Sequence, residues 1–379
     1  MCEFEPGSAE ELAAMLKECA AKGQRITIRG HGTKELMGGP ISESDVVIST
    51  GGLRRILQYE PGDLTVSVEA GMPFEELQSR LRAHGQMVAL DPPFFAGSTV
   101  GGIVAANVSG PMRRGYGTAR DLIIGMSFAM LDGKIVKTGG MVVKNVAGLD
   151  MAKLMIGSFG TLAAITSVNF RLHPIPEGTR TFLFEYGRLE NAIERRDAIT
   201  KSMLQPFAID LLSPAAAGRR GFVLAVRAGG SKTVLERYAR ELAGAEQVEG
   251  REEEEFWEQV REFTPTFLAH NPEGVVLRVS TTLRDVGSVM GSAPGAAIAR
   301  AATGVTFVYF DSWEPAAKFW EQGWNTVVEF APHEIRRSHT LWRAASKGPA
   351  ANAFDMMKRV KQLFDPGNLL NPCRLYGQI

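Results

Sequence analysis

The amino-acid sequence predicts an α+β fold with two domains. The chain has 379 residues, which is more than one ordinary hydrophobic core sustains. Strand and helix patterns alternate along the N-terminal half, and its glycine-rich texture ends at Pro174 and Pro176. Beyond these prolines, strands and helices alternate without glycine clusters. We therefore expect a first domain over residues 1–175 with subdomains over about 1–88 and 89–175, a second α+β domain over 176–350, and a C-terminal segment over 351–379.

The first helix is predicted over residues 8–22, because Ser8 can cap it and an apolar face repeats at helical spacing. A strand over 25–29 then leads into the glycine-rich turn of residues 30–35. Such a turn can direct successive backbone N–H groups toward an anion, but an ordinary turn explains the pattern equally well. The spacing fits neither a P-loop nor the dinucleotide-binding fingerprint, so a Rossmann-type NAD enzyme is disfavoured.

The rest of the first domain reads as short strands and helices. Asp132-Gly133 is the strongest hairpin signal in the chain, because this dipeptide favours a tight two-residue turn between strands. The patterns predict strands over 46–49, 64–68, 122–131 and 134–138, and a helix over 74–84. Residues 151–156 lead into the glycine-containing turn of residues 157–161 and an apolar stretch over 162–170.

Small residues dominate the stretch from 95 to 117. Glycine loses much backbone entropy on folding and offers no side chain to pack, so we do not expect a core helix or strand here. The same residues allow the main chain to approach a large flat ligand closely. We therefore interpret this stretch as the wall of a cofactor site.

The second domain shows four clear strand patterns and two helix patterns. Residues 252–255 are four consecutive glutamates, which we expect at the solvated start of a helix, where carboxylates favour the helix dipole. The predicted elements are strands over 181–185, 221–227, 274–280 and 305–310, helices over 233–242 and 252–262, a last helix over 350–363 and a turn-rich segment over 364–375.

Composition excludes several classes of function. Lys plus Arg and Asp plus Glu are both 42, so no basic surplus predicts binding to nucleic acid or an anionic membrane. No apolar run approaches the ~18 residues of a membrane helix. The three cysteines are too few for a disulfide scaffold or for an iron–sulfur or Cys-rich zinc site, so we expect no metal in this chain. The N-terminus lacks a signal-peptide pattern, and a cytoplasmic protein is expected.

Several motifs, taken together and in this order, resemble those of one known family. They are RGHGTKE (29–35), LDPP (90–93), STVGG (98–102), RRGYGTARDLIIG (113–125), VVKNVAGLD (142–150), IGSFGTLAAIT (156–166) and FDPGNLLNPCRL (364–375). The chain resembles the FAD-binding flavoproteins of the PCMH (vanillyl-alcohol oxidase) type, and within them the smaller FAD-binding subunits of bacterial glycolate oxidases. The resemblance covers about the first 170 residues and the C-terminal tail.

This resemblance implies a two-subdomain PCMH-type FAD-binding domain, a cap domain, and a C-terminal tail that returns to close over the flavin. It places the FAD diphosphate on residues 30–34, so that neutral N–H groups meet most of the phosphate charge and no Lys/Arg cluster is needed. The implied cofactor-binding residues are Gly30, His31, Gly32, Thr33 and Lys34 at the diphosphate, Ser98, Thr99, Gly101, Gly102, Asn107 and Ser109 along the ribityl chain and flavin ring, Gly157, Ser158, Gly160, Thr161 and Ile165 near the adenine and diphosphate, and Asn371 with Pro372 from the tail.

Three positions depart from the family pattern. Some relatives attach FAD covalently through a histidine at the position of Thr33, whereas His31 lies two residues earlier, so we expect dissociable, non-covalent FAD. Leu149 stands where relatives tend to carry an aromatic residue, and Cys373 where they tend to carry glycine. Neither change is expected to abolish FAD binding.

The family implies three hypotheses for function. The first is an FAD-binding subunit of a 2-hydroxy-acid (glycolate) dehydrogenase, paired with a catalytic FAD subunit and an iron–sulfur subunit, through which it could associate with a membrane. The second is a self-sufficient FAD-dependent dehydrogenase. The third is a flavin-bearing structural subunit without turnover.

The self-sufficient enzyme needs a base and a cation of its own for the 2-hydroxy acid. Its weak catalytic candidates are His333, His339 and Arg336, in a segment that also contains Arg337 and Arg343. An exposed basic helix explains this segment better.

Overall fold

The computed structural model describes residues 2–142, 149–343 and 353–379. The elements of the N-terminal half are β1 (Cys2–Phe4), α1 (Ala9–Ala21), β2 (Ile26–Arg29), β3 (Val46–Ser49), β4 (Ile56–Glu60), β5 (Thr65–Glu69), α2 (Phe74–Arg82), β6 (Gln86–Met87), α3 (Val100–Ala106), α4 (Arg113–Tyr116), α5 (Ala119–Leu122), β7 (Ile123–Ala129), β8 (Ile135–Gly139), α6 (Ala152–Met155), β9 (Ala164–Arg171) and β10 (His173–Pro174).

The C-terminal half continues the alternation of strands and helices. Its elements are β11 (Gly178–Tyr186), α7 (Leu189–Lys201), β12 (Ala208–Leu212), α8 (Pro214–Ala217), β13 (Phe222–Gly230), α9 (Lys232–Glu241), β14 (Glu246–Val248), α10 (Gly250–Arg261), α11 (Phe263–His270), β15 (Val275–Ser280), α12 (Val286–Ser292), β16 (Ala297–Arg300), β17 (Val305–Phe310), α13 (Trp313–Trp320), β18 (Thr326–Phe330), α14 (His333–Ser338), β19 (Trp342–Arg343) and α15 (Ala353–Phe364). The motif over 142–150 and the predicted start of the last helix at 350 lie partly outside the described residues.

Contacts divide the chain into two compact units. Unit 1 comprises residues 1–109, 118–175 and 346–379, and unit 2 comprises 110–117 and 176–345. Residues 110–117 therefore pack with unit 2, although they lie inside the range predicted for the first domain. In the part of the chain that the structure describes, no helix is both long and apolar enough to cross a membrane.

Unit 1 contains a small parallel sheet and a larger antiparallel sheet. The small sheet has the order β1-β3-β2, and the larger one the order β4-β5-β9-β7-β8. Leu12 of α1 lies in one buried cluster with Ile26 and Ile48 of the small sheet and with Ala129 of the larger sheet. Burial of these apolar side chains joins the two sheets through α1.

Two local predictions for unit 1 are confirmed. The Ser8 hydroxyl accepts the N–H of Glu11 at 3.1 Å and caps α1. Strands β7 and β8 pair antiparallel on either side of Asp132-Gly133, where Gly133 has a φ of +83°.

The prediction that residues 95–117 form no helix was wrong. Thr99 caps the buried helix α3, and its hydroxyl accepts the N–H of Gly102 at 3.2 Å. The N–H of Gly101 donates to the carbonyl of Ala70 at 2.7 Å, and a Cβ at Gly101 would lie 2.8 Å from that of Ala70. Glycine costs about 1 kcal/mol in a helix, but here it lets α3 pack directly against main chain.

Unit 2 is built on a nine-stranded antiparallel sheet with the order β14-β11-β13-β12-β16-β17-β15-β18-β19. The predicted strands and helices agree with β11, β13, β15, β17, α9 and α10. Strands β12, β16 and β18 were not predicted.

The four consecutive glutamates at residues 252–255 of α10 do not all face solvent, which corrects the prediction for this run. Glu253 is fully buried and accepts hydrogen bonds from the hydroxyls of Thr179 at 2.6 Å and Thr181 at 2.9 Å and from Nε of Arg227 at 3.0 Å. A buried carboxylate is tolerated only when it is paired and hydrogen-bonded in this way. Glu253 therefore anchors α10 to the sheet.

Candidate functional site

A cleft opens in unit 1 at the carboxyl end of β2. The cleft is lined by Thr27, Ile28, Arg29, Gly30, His31, Gly32, Thr33, Lys34, Glu35, Ile41, Ser42, Thr99, Gly102, Ala105, Ala106, Phe159, Asn371, Pro372 and Arg374. We call it the main cleft.

A smaller cavity shares part of this wall, including Gly30, Gly102 and Phe159. It adds Gly101, Gly160 and Ile165 to the surfaces that a ligand could contact.

The turn of residues 30–33 presents main chain to the main cleft. A Cβ at Gly30 would lie 2.3 Å from Oγ1 of Thr99, so only glycine fits at this position. Gly32 has a φ of +76°, which side-chain-bearing residues rarely adopt. Among the described residues, none accepts a backbone N–H from residues 30–33. These four N–H groups are therefore available to an anion, which is the chemistry that a diphosphate requires.

Lys34 lies beneath this turn and is buried. Its ammonium donates to the hydroxyl of Ser98 at 2.5 Å and to that of Thr33 at 3.2 Å. Ser98 is fully buried and in turn donates to the carbonyl of Phe94 at 2.7 Å. Ser98 thus holds the ammonium of Lys34 by a hydrogen bond and does not itself line the main cleft.

The remaining predicted residues fall into two groups. Thr99 and Gly102 line the main cleft, while Asn107, Ser109, Gly157, Ser158 and Thr161 line neither space. Ser158 and Thr161 are buried, where the Thr161 hydroxyl donates to the Ser158 carbonyl at 2.7 Å. Asn107 ends α3 with a φ of +50°. These residues shape the backbone that carries the lining residues.

The C-terminal segment supplies the opposite wall. The side chain of Asn371 accepts the N–H of Ile28 at 2.7 Å and donates to the carbonyl of Phe159 at 2.7 Å. Its own N–H donates to the carbonyl of Ile26 at 2.8 Å. Asn371 therefore ties the segment to β2 and to the turn at Phe159.

A buried ion pair fixes the same segment further up the chain. Nζ of Lys361 donates to Asp365 at 2.6 Å and to the carbonyls of Thr161 and Leu370 at 2.8 Å. Burial lowers the pKa of Lys361, although its contact with Asp365 opposes this change. The three acceptors compensate for the loss of water around the ammonium.

The lining residues that sequence analysis missed include Arg29, Phe159 and Arg374. Arg29 pairs with Glu3 at 2.7 Å and with Glu35 at 3.6 Å. Arg29, Phe159 and Arg374 lie inside the family motifs over 29–35, 156–166 and 364–375. Their position beside predicted site residues could have identified them. The main cleft therefore holds more cationic groups than the resemblance implied.

The weak catalytic candidates lie in unit 2. His333 and His339 are exposed, and Nδ1 of His339 lies 2.8 Å from the hydroxyl of its neighbour Ser338. Arg336 is buried, and its Nε donates to the carbonyl of Ala331 at 2.9 Å. Within the described ranges, no group of three or more His, Cys, Asp or Glu residues is placed to hold a metal.

Comparison with known proteins agrees with the geometry of unit 1. Residues 2–139 match the model of an FAD binding domain, and residues 337–375 match that of the C-terminal domain of FAD-linked oxidases. By these two matches, the chain is similar to FAD-linked oxidases. FAD is accordingly the cofactor that the N-terminal match indicates.

Two relatives show how far this similarity extends. The chain is 27% identical over 379 residues to the glycolate oxidase subunit GlcE of Escherichia coli, covering 98% of both chains. It is 30% identical over 207 residues to the glycolate oxidase subunit GlcD of Bacillus subtilis, covering 55% of this chain and 44% of that protein.

Two solved structures confirm the predicted α+β fold class. An alkyldihydroxyacetonephosphate synthase has a TM-score of 0.73 at 16% identity, covering 98% of this chain and 75% of its own. A 4-ethylphenol oxidase from Gulosibacter chungangensis has a TM-score of 0.73 at 15% identity, covering 99% and 89%. At such low identity these likenesses establish the fold alone.

Proposed function

We propose that this chain is the FAD-binding subunit of a multi-subunit 2-hydroxy-acid dehydrogenase. It acts together with a catalytic FAD subunit and an iron–sulfur subunit, with glycolate as the first substrate to test. One observation carries the proposal: similarity to GlcE covers 98% of both chains, whereas similarity to GlcD stops after 207 residues.

The main cleft supports the binding part of this proposal. The N–H groups of residues 30–33 receive the diphosphate, and Gly30 and Gly102 keep the wall thin enough for close approach. Asn371 holds the C-terminal wall against the cleft. Bound FAD would supply a two-electron acceptor that can release its electrons one at a time.

We propose that FAD is held without a covalent bond. Thr33 occupies the position at which some relatives carry the linking histidine, and its hydroxyl lies 3.3 Å from that of Ser98. Nδ1 of His31 lies 3.2 Å from the carbonyl of Gly97. Both side chains thus have partners within the protein.

Partner subunits are proposed because this chain has too few cysteines for an iron–sulfur cluster of its own. It has three cysteines, one fewer than an all-cysteine iron–sulfur cluster requires. The arrangement of His333, His339 and Arg336 gives the self-sufficient enzyme little support, since Arg336 is buried and its Nε donates to the carbonyl of Ala331. Membrane association, if present in the cell, would come from the partners.

The test is purification of the chain with and without its partner subunits. The isolated chain should be yellow, release all its flavin as FAD on acid precipitation, and show no reduction of an artificial acceptor with glycolate or D-lactate. The reconstituted complex should turn over.

Two results would contradict the proposal in different ways. Turnover by the isolated chain at the rate of the complex would make it a self-sufficient enzyme, and His339→Ala would then identify whether the residues near 333–343 take part. A chain that stays colourless and takes up no added FAD would refute cofactor binding itself.

A further inference from the structure

The side chain of Arg374, in the C-terminal segment, contacts the backbone at and after the diphosphate turn. One terminal nitrogen of its guanidinium donates to the carbonyl of Lys34 at 2.6 Å. The other donates to the carbonyls of Met37 and Gly39. Three carbonyls spread over six residues are thus held by one planar group.

The backbones around this contact lie very close together. The N–H of Gly39 donates to the carbonyl of Arg374 at 2.9 Å, and a Cβ at Gly39 would lie 1.9 Å from the carbonyl oxygen of Cys373. The guanidinium also lies over the ring of Phe159, 5.6 Å from its centroid. Arg374 therefore joins three parts of the main cleft: the loop of residues 34–39, the turn at Phe159 and the tail.

The backbone of this loop is held partly by its own hydrogen bonds and partly by the tail. Glu35 donates to the carbonyl of Gly32 at 3.1 Å, and Met37 donates to that of Lys34 at 3.0 Å, while Gly39 donates to the tail. Without the guanidinium, the carbonyls of Lys34, Met37 and Gly39 would lose a shared donor, and the loop that follows residues 30–33 would be held less firmly.

We propose that Arg374 is a positioning residue for FAD: it acts through the loop of residues 34–39 to aim the diphosphate-binding N–H groups. This inference rests on the assignment of the main cleft to the FAD diphosphate. Lysine is a poor replacement, because a compact ammonium cannot span three carbonyls as a planar guanidinium does.

The experiment measures the affinity of apoprotein for FAD by flavin fluorescence, and for ADP by competition. Arg374→Gln should raise the Kd of FAD at least ~10-fold and that of ADP by a similar factor, since ADP carries the diphosphate without the flavin. Arg374→Lys should raise both by a smaller factor of about 3–10. Arg359→Gln, at an exposed arginine of α15, is the matched control and should leave both unchanged.

The outcomes distinguish the positioning role of Arg374 from the assignment of the main cleft to the FAD diphosphate. Failure of ADP to compete with FAD in the wild-type chain would refute the assignment of the cleft. Competition in the wild type, with unchanged ADP affinity in Arg374→Gln, would overturn the role of Arg374 alone. If Arg374→Gln does not fold, Arg374→Lys decides: wild-type affinity for ADP in that variant would overturn the positioning role.

Discussion

Gly30→Ala gives the sharpest test of the proposal that the main cleft binds FAD. The new methyl group would lie 2.3 Å from Oγ1 and 3.0 Å from Cγ2 of Thr99. Thr99 is 2% exposed and caps α3, so its side chain has no room to turn away. The diphosphate turn must therefore move, and forcing one extra methyl group into a packed site costs about 1–3 kcal/mol.

This strain should appear in FAD affinity more than in the stability of the apoprotein. The empty turn can relax outward, whereas the bound turn must keep its N–H groups on the diphosphate. A cost of about 1–3 kcal/mol corresponds to a Kd for FAD that is about 5- to 150-fold higher. Fluorescence titration of apoprotein measures the affinity, and thermal unfolding measures the stability.

Two further variants make the reasoning falsifiable. Gly62→Ala is the matched control, because its Cβ would meet nothing within 4 Å. Thr99→Ala removes both clashing atoms, so the double variant with Gly30→Ala should bind FAD better than the two single effects predict together. Wild-type affinity in Gly30→Ala, or strict additivity in the double variant, would refute the steric argument.

The remaining predictions concern stability, measured by urea or thermal unfolding. Asn371→Asp should lower the free energy of unfolding by about 2–4 kcal/mol, because a carboxylate cannot donate to the carbonyls of Ile28 and Phe159. Cys373→Gly should raise it by up to about 1 kcal/mol, because Cys373 has a φ of +65°. Burial lowers the pKa of His173 below its ordinary 6.5, so the native state resists protonation there. Stability should be lost as the pH falls below about 6.5, and His173→Gln should lose less of it.

Clear results would contradict each of these three. Unchanged stability in Asn371→Asp would show that the C-terminal wall is held by other contacts. A less stable Cys373→Gly would mean that the thiol packs better than its backbone conformation suggests. Parallel pH profiles for wild type and His173→Gln would remove His173 as a source of acid sensitivity.

Signals that lie within a few residues of one another predicted structure well. Ser8 caps the helix that follows it, and Asp132-Gly133 turns the chain between neighbouring strands. Both depend on local backbone geometry, which a short stretch of sequence determines. The glycine-rich turn that follows β2 was predicted for the same reason, and Gly32 there has a φ of +76°.

Contacts between distant parts of the chain were not predictable in this way. Glu253 of α10 is buried against partners from two strands of the sheet, Thr179 of β11 and Arg227 of β13. Arg374 meets the loop of residues 34–39 some 340 positions earlier in the sequence. Helix α3 forms because Gly101 can lie against Ala70, a tertiary contact that overrides the poor helix propensity of glycine.

The return of the tail to unit 1 has a consequence for biosynthesis. When the ribosome has translated residue 175, Asn371 and Arg374 have not yet been synthesised. One side of the main cleft is therefore still missing. About 200 further residues must be translated, which takes on the order of 10–40 s. The nascent chain should therefore bind flavin tightly only at the end of its synthesis. A fragment that ends at the interdomain prolines should bind flavin weakly.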